Sequence, residues 1–215
     1  MSEPAHAFLY PFLYDEVADE GTDVLEEVRR SALQKCREVV EMRQRFIEEQ
    51  EDALLATAAV MADRFHAGGR LFTFGCGGSA TDALDAAYDF ACPPLGGRPL
   101  PALSLVADVA VITAVANDVG FDNVFLRQLI SYGRPGDIAL GISTSGNSAA
   151  LLQGFRQARR QGMLTVGILG YDGGEAARSG AVDHALTIHS AYVPRIQEAQ
   201  ATVYHALRDL VEAIL

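Results

Sequence analysis

Ser143, Thr144, Ser145 and Ser148 place four hydroxyls within six residues, inside the stretch Asp137–Ser148, DIALGISTSGNS. Hydroxyls and backbone amides gathered around one small space suit a phosphate, because a helix N-terminus presents unpaired N–H groups and the positive end of a dipole. Ile138 to Ile142 is a short apolar run, the pattern of a buried strand. Gly146 and Asn147 allow a tight turn, and Ser148 suits the N-cap of the helical pattern Ala149–Arg160. Strand, hydroxyl-rich turn and helix start admit two readings, a phosphate site or an ordinary capped turn. A second turn, Gly75-Cys76-Gly77-Gly78-Ser79, follows the apolar run Leu71–Phe74. Its glycines let backbone approach a ligand closely, and Ser79 and Asp82 have the capping-box spacing. It lacks the third glycine of the dinucleotide fingerprint, and the chain has no Gly-Lys-Ser/Thr, so no nucleotide cofactor is expected. Two such turns at two strand ends of one sheet suggest a phosphorylated sugar held between them.

The elements that position these turns alternate. Strand patterns at Leu71–Phe74, Ala102–Val106, Ile138–Ile142, Leu164–Leu169 and Ala185–Ile188 are separated by helical stretches, and Pro194–Leu215 reads as a terminal helix. That alternation predicts a parallel sheet covered by helices on both faces, with ligands at the carboxyl ends of the strands. Asp23 to about His66 reads as helix, in two pieces, stopped by Gly68 and Gly69. Residues 1–22 are irregular, with an aromatic cluster of Phe8, Tyr10, Phe12 and Tyr14 that reads as a packed arm. The expected organisation is an N-terminal arm and helix over 1–52 and one α/β domain over 53–215.

The chain has 215 residues and a formal net charge of −11. An acidic balance argues against a nucleic-acid surface, which needs a basic patch; an anion held by backbone amides needs no lysine. Lys35 is the only lysine and sits in a charged helical pattern, which argues against Schiff-base chemistry and pyridoxal phosphate. Cys36, Cys76 and Cys92 are scattered and odd in number, which fits a reducing cytoplasm. The N-terminus shows no signal-peptide pattern. The longest apolar stretch, Pro101–Ala116, is interrupted by Asp108 and too short to span a membrane, so no membrane association is expected.

GCGGS before a helix, AND at Ala116–Asp118, LGISTSGNS, YDGG at Tyr171–Gly174 and RIQE at Arg195–Glu198 follow one another in order. Together they resemble the phosphoheptose isomerases of the sugar isomerase (SIS) family, over roughly Ala53 to the C-terminus. The resemblance implies a three-layer α-β-α sandwich with a five-stranded parallel sheet, the flavodoxin-like SIS fold, plus an N-terminal helical extension. It implies a homotetramer with active sites at subunit interfaces, and conversion of sedoheptulose 7-phosphate to a heptose 7-phosphate. Close relatives of these enzymes lack that activity and bind the bacterial replication initiator. A non-catalytic SIS protein that binds a sugar phosphate or a protein partner in a regulatory role is therefore the alternative.

Carried over residue by residue, the resemblance implies phosphate contacts from Ser143, Thr144, Ser145, Ser148 and Ser79, with Cys76, Gly77 and Gly78 lining the same site. Cys76 stands where the family usually has Asn, which removes an amide from the sugar site. Asn117 and Asp118 map onto a sugar-contacting pair. The family's metal-binding His and catalytic Glu fall on Asp85 and Asp89, while its terminal-helix Gln and His fall on Gln197 and His205. Asp85 and Asp89 are four apart and share a helix face; Gln197 and His205 lie about 80° apart around theirs. Asp85, Asp89, Gln197 and His205 could bind Zn²⁺ or a harder divalent metal. Asp89 as base and His205 as acid could equally move a proton without one. His6, His66, His184 and His189 read as structural or surface residues.

Overall fold

The computed structural model describes residues 21–93 and 96–215; the aromatic arm lies outside the described residues. The chain divides into two units, Met1–Glu41 and Met42–Leu215. The elements in order are α1 (Gly21–His66), β1 (Leu71–Gly75), α2 (Gly78–Ala91), β2 (Ala102–Ser104), α3 (Val109–Val119), a 3₁₀ turn (Phe121–Asn123), α4 (Val124–Tyr132), β3 (Ile138–Ser143), α5 (Ala149–Arg160), β4 (Leu164–Gly170), α6 (Gly174–Arg178), β5 (His184–Ile188) and α7 (Val193–Ile214). In the first unit α1 is solvated, with Arg29–Glu26 and Arg30–Glu27 ion pairs one turn apart.

All strand pairs are parallel and the order is β2-β1-β3-β4-β5. The order reverses at β1 and β3, where Gly75 is in register with Ile142. A doubly wound sheet opens its crevice at that reversal, outside the carboxyl ends of the strands. The two turns singled out in the sequence are the ones that leave β1 and β3. Alternation along the strands sends Leu71, Ile138, Leu140 and Ile142 into a core with α2, α7 and the end of α1. Phe72, Phe74 and Ala139 face the opposite core, with α4 and α5. Gly141 leaves room there for the Phe155 ring, which packs edge-on to Phe74 at 5.2 Å. Burying both faces fixes the strand register, and hence the position of both turns.

One element ends short of its sequence pattern. β2 ends at Ser104 and not at Val106, because the Leu105 carbonyl is taken by the Gln128 amide at 2.8 Å and the ladder stops. The N-terminal helix comes in the two pieces expected, parted by non-helical backbone at Gln50 (φ −133°, ψ 18°). Gln50 Oε1 accepts from the Thr187 N–H at 3.0 Å, and its Nε2 donates to the Thr187 carbonyl. The side-chain amide thus does for the open edge of β5 what a sixth strand would do.

Candidate functional site

The turn after β3 is held from below and from the side. Ser143 Oγ accepts from the Gly146 N–H at 3.0 Å, and Ser145 Oγ from the Asn147 N–H at 3.3 Å. Asn147 Oδ1 accepts from Glu175 N–H at 2.8 Å and the Gly146 carbonyl from Ala176 N–H at 3.0 Å, which ties the turn to α6. Beneath it, the fully buried Gln200 of α7 donates from Nε2 to the carbonyls of Ser143 (3.1 Å) and Ile168 (3.0 Å). Ser148 occupies the N-cap of α5, but its side chain makes no capping bond; this corrects the expectation of a capped helix. Its hydroxyl lies 3.5 Å from Cys76 Sγ, at the turn after β1. The first turn of α5 is thus left without a side-chain acceptor from its cap, and unpaired amides at a helix start can hold an anion.

The turn after β1 also differs from its sequence pattern. Gly77, at φ 61°, is the N-cap of α2, so Ser79 falls inside the first helical turn and no capping box forms with Asp82. Ser79 is buried. Gly78 packs directly against the Gln197 amide of α7: a Cβ there would lie 2.1 Å from Nε2. Cys76 and Ser148 thus bring the turns after β1 and β3 into contact, and Gln197 lies against Gly78.

Along α2 from that crevice, Asp82, Asp85 and Asp89 face α7. Tyr204 donates its hydroxyl to Asp85 Oδ2 at 2.7 Å. His205 Nδ1 lies 3.1 Å from Asp89 Oδ2, and Nε2 lies 3.8 Å from Asp85 Oδ2. The Tyr204 and His205 rings pack against each other with centroids 4.6 Å apart. Asp85, Asp89 and His205 are therefore brought together.

A family model described as SIS domain matches residues 36–170. The phosphoheptose isomerase of Roseiflexus sp. (strain RS-1) is 41% identical over 177 residues, covering 82% of this chain and 89% of the relative. The chain belongs to the SIS domain family. A second SIS relative, the phosphoheptose isomerase of Chlorobaculum tepidum, is 43% identical over 168 residues, covering 76% of this chain and 79% of its own. The solved phosphoheptose isomerase of Neisseria gonorrhoeae superposes with a TM-score of 0.80 at 29% identity, over 86% of this chain and 99% of that one. The expected SIS fold, with its five-stranded parallel sheet between helices and its N-terminal helix, is the fold observed.

Not every site residue of the SIS motif converges within one chain. Asn117 and Asp118 lie in the last turn of α3, exposed, where Asn117 Nδ2 donates to Asp118 Oδ1 at 2.9 Å. Among the described residues, no group of three or more His, Cys, Asp and Glu side chains is placed to hold a metal ion. Each donor that the resemblance implies is engaged by protein. Asp85 accepts from Tyr204, Asp89 meets His205 Nδ1, and Gln197 lies against Gly78 and bonds to Asp82. A zinc ion takes one nitrogen of an imidazole, whereas Asp85 and Asp89 lie at the two different nitrogens of the His205 ring, so the set as it stands does not gather around one ion.

Three residues of this site escaped the sequence reading: Gln200, Tyr204 and Asp82. Burial pushes Asp82 up to about 6, helped by the neighbouring Asp85 charge and opposed by the bond from Gln197. Its Oδ2 is buried without a partner. Tyr204 is held well above the ordinary phenol value, first by burial and then by its bond to Asp85, so it stays a neutral donor. The Asp82 shift has a definite sign. A carboxyl raised on folding from 3.8 adds stability at pH below 3.8, and loses it as pH rises through about 6. Asp82→Asn therefore leaves stability near pH 4 unchanged. At pH 7.5 it raises stability by roughly 1–2 kcal/mol, a figure reduced for the partial exposure of the group. Urea unfolding of both proteins at the two pH values measures the difference; equal midpoint shifts at both would contradict it.

Proposed function

We propose that the chain is an aldose–ketose isomerase acting on a phosphorylated sugar of the sedoheptulose 7-phosphate class. The observation that carries this is the 3.1 Å contact between Asp89 and His205, on the helix that leaves the phosphate crevice. The names of the relatives, phosphoheptose isomerase, point to the same chemistry. Isomerisation moves a proton between adjacent carbons through an enediol. Asp89 takes the carbon-bound proton and returns it to the neighbouring carbon. His205 gives a proton to the carbonyl oxygen and receives one from the adjacent hydroxyl, so the site ends as it began. Ser145, Thr144 and Ser148, with the first-turn amides of α5, hold the phosphate; Cys76, Gly77, Gly78 and Ser79 form the facing wall. In heavy water, turnover of sedoheptulose 7-phosphate incorporates deuterium at the carbon next to the carbonyl, read by NMR. Tight binding with neither product nor exchange would instead support the regulatory, non-catalytic reading. Ser148→Ala removes one hydrogen bond to a charged group, worth roughly 1.5–3 kcal/mol. Calorimetry with the sugar phosphate then reads about a tenfold to hundredfold weaker Kd, and an unchanged Kd would sink the phosphate assignment.

The same reading includes a homotetramer. α3 is strongly apolar yet buries no residue, with Val109 70% exposed. Leu84 and Tyr88 are exposed on α2 between the carboxylates. Apolar surface of this kind marks an interface, and closed symmetry is the usual way to cover it. The exposed Asn117 and Asp118 would then serve a site shared between copies. Light scattering should return four copies; a monomer at micromolar concentration would exclude the assembly. We place the protein in the cytoplasm, in keeping with three free thiols. Among the described residues no helix is long and apolar enough to cross a membrane.

A further inference from the structure

The group facing α2 from α7 is closed on itself. The Tyr204 side chain, on a residue only 2% exposed, does two things at once. Its hydroxyl fixes Asp85 Oδ2 at 2.7 Å, and its ring backs the His205 imidazole at 4.6 Å. The two carboxylates so placed lie at the two nitrogens of one ring, Asp89 at 3.1 Å from Nδ1 and Asp85 at 3.8 Å from Nε2. An imidazole in a proton-transfer site must be aimed, and its second nitrogen must be met by something. A metal can do this, by taking one nitrogen. Here each nitrogen faces a carboxylate, and the carboxylate that would reach a metal is held by a phenol.

We propose that Tyr204 is a positioning residue for His205, and that Tyr204, Asp85 and Asp89 aim the imidazole by protein groups alone, so that proton transfer in this chain needs no divalent metal. The proposal rests on the isomerase reading for the reaction that is served, but not for the arrangement itself. Tyr204→Phe keeps the ring and removes the hydroxyl. Asp85 is then free to turn, and the imidazole loses one of its two guides. Misplacement on the scale of an ångström costs up to about a hundredfold in rate. The expected result is a fall in kcat of about tenfold to a hundredfold with KM within twofold, because the phosphate contacts lie on the other helix. A purely structural role for Tyr204 would move stability and leave that split absent.

The metal half is read without turnover. Wild-type protein incubated with Co²⁺ and dialysed against metal-free buffer should retain none by elemental analysis and show no visible absorption band. Asp85→His, which swaps the tyrosine-held carboxylate for a nitrogen ligand, should retain about one Co²⁺ per chain. Activity after exhaustive chelation should stay within twofold of the starting value. Stoichiometric Co²⁺ or Zn²⁺ in the wild type, or activity lost to chelation and restored by metal, would overturn the proposal. If the protein turns over no sugar phosphate at all, the isomerase reading fails. The cobalt measurement then still decides the metal-free arrangement. The ¹⁵N shifts of the His205 ring decide the role of Tyr204: they move in Tyr204→Phe if the hydroxyl aims the ring, and stay if it does not.

Discussion

Asp89→Asn should lower kcat for the sugar phosphate by about a thousandfold, within the range of about 10²–10⁴ that general acid–base groups supply, while leaving the Kd of the sugar phosphate within about threefold. Asparagine keeps the shape of the side chain and can still bond to His205 Nδ1, 3.1 Å away. It cannot accept a proton from carbon. The phosphate contacts lie on the turn after β3 and the start of α5, whereas Asp89 lies about three turns along α2. The two quantities should therefore separate cleanly, one read by NMR turnover and the other by calorimetry. His205→Asn tests the partner role and should cost a similar factor, without additivity in the double variant, because one proton relay cannot be broken twice. Full activity in Asp89→Asn would move the base elsewhere, to Asp85 or Asp82 on the same face.

Much of the fold and of the candidate site is legible in the sequence. The alternation of apolar runs and helical patterns contains the parallel sheet, and the two turns at Gly75–Ser79 and Ser143–Ser148 are visible from residue type alone. Their meeting follows from topology: β1 and β3 are neighbours at the one reversal in strand order. What sequence pattern could not show is how α7 is set against α2. Tyr204 falls in the apolar stripe of α7 with Ile196, Val203 and Leu207, so periodicity reads it as core and hides its hydroxyl. Its partner Asp85 is 119 residues away. Gln200 is polar on the same stripe, and only the β3 and β4 carbonyls beneath it explain why. Asp82 reads as half of a capping box until Gly77 takes the N-cap. Such errors share a cause: local spacing assigns a residue to its nearest role, and tertiary contact reassigns it.

The largest loss of phosphate binding should come from a residue with no side chain. Gly146 sits at φ 65° in the turn after β3, and a Cβ there would lie 2.1 Å from the Gly173 carbonyl oxygen. From the other side, a Cβ on Gly174 would lie 2.2 Å from the Ser145 carbonyl oxygen. Two turns thus interlock backbone against backbone, and neither can yield by rotating a side chain. Gly146→Ala must move the turn away from α6, which breaks the bonds from Ala176 to Gly146 and from Glu175 to Asn147. The Ser145 hydroxyl and the α5 amides then lose their common focus. We expect sugar-phosphate affinity to fall by about a hundredfold or more, and stability by about 3 kcal/mol, the sum of left-handed strain of about 1–2 kcal/mol and the broken bonds. Gly180→Ala is the control. It has a similar φ of 66° but nothing within 4 Å of the added Cβ, so it should carry the strain alone, about 1–2 kcal/mol in urea. Its phosphate Kd should change far less than that of Gly146→Ala. Equal Kd values in the two variants would mean that backbone strain, and not the interlock with α6, sets the phosphate turn.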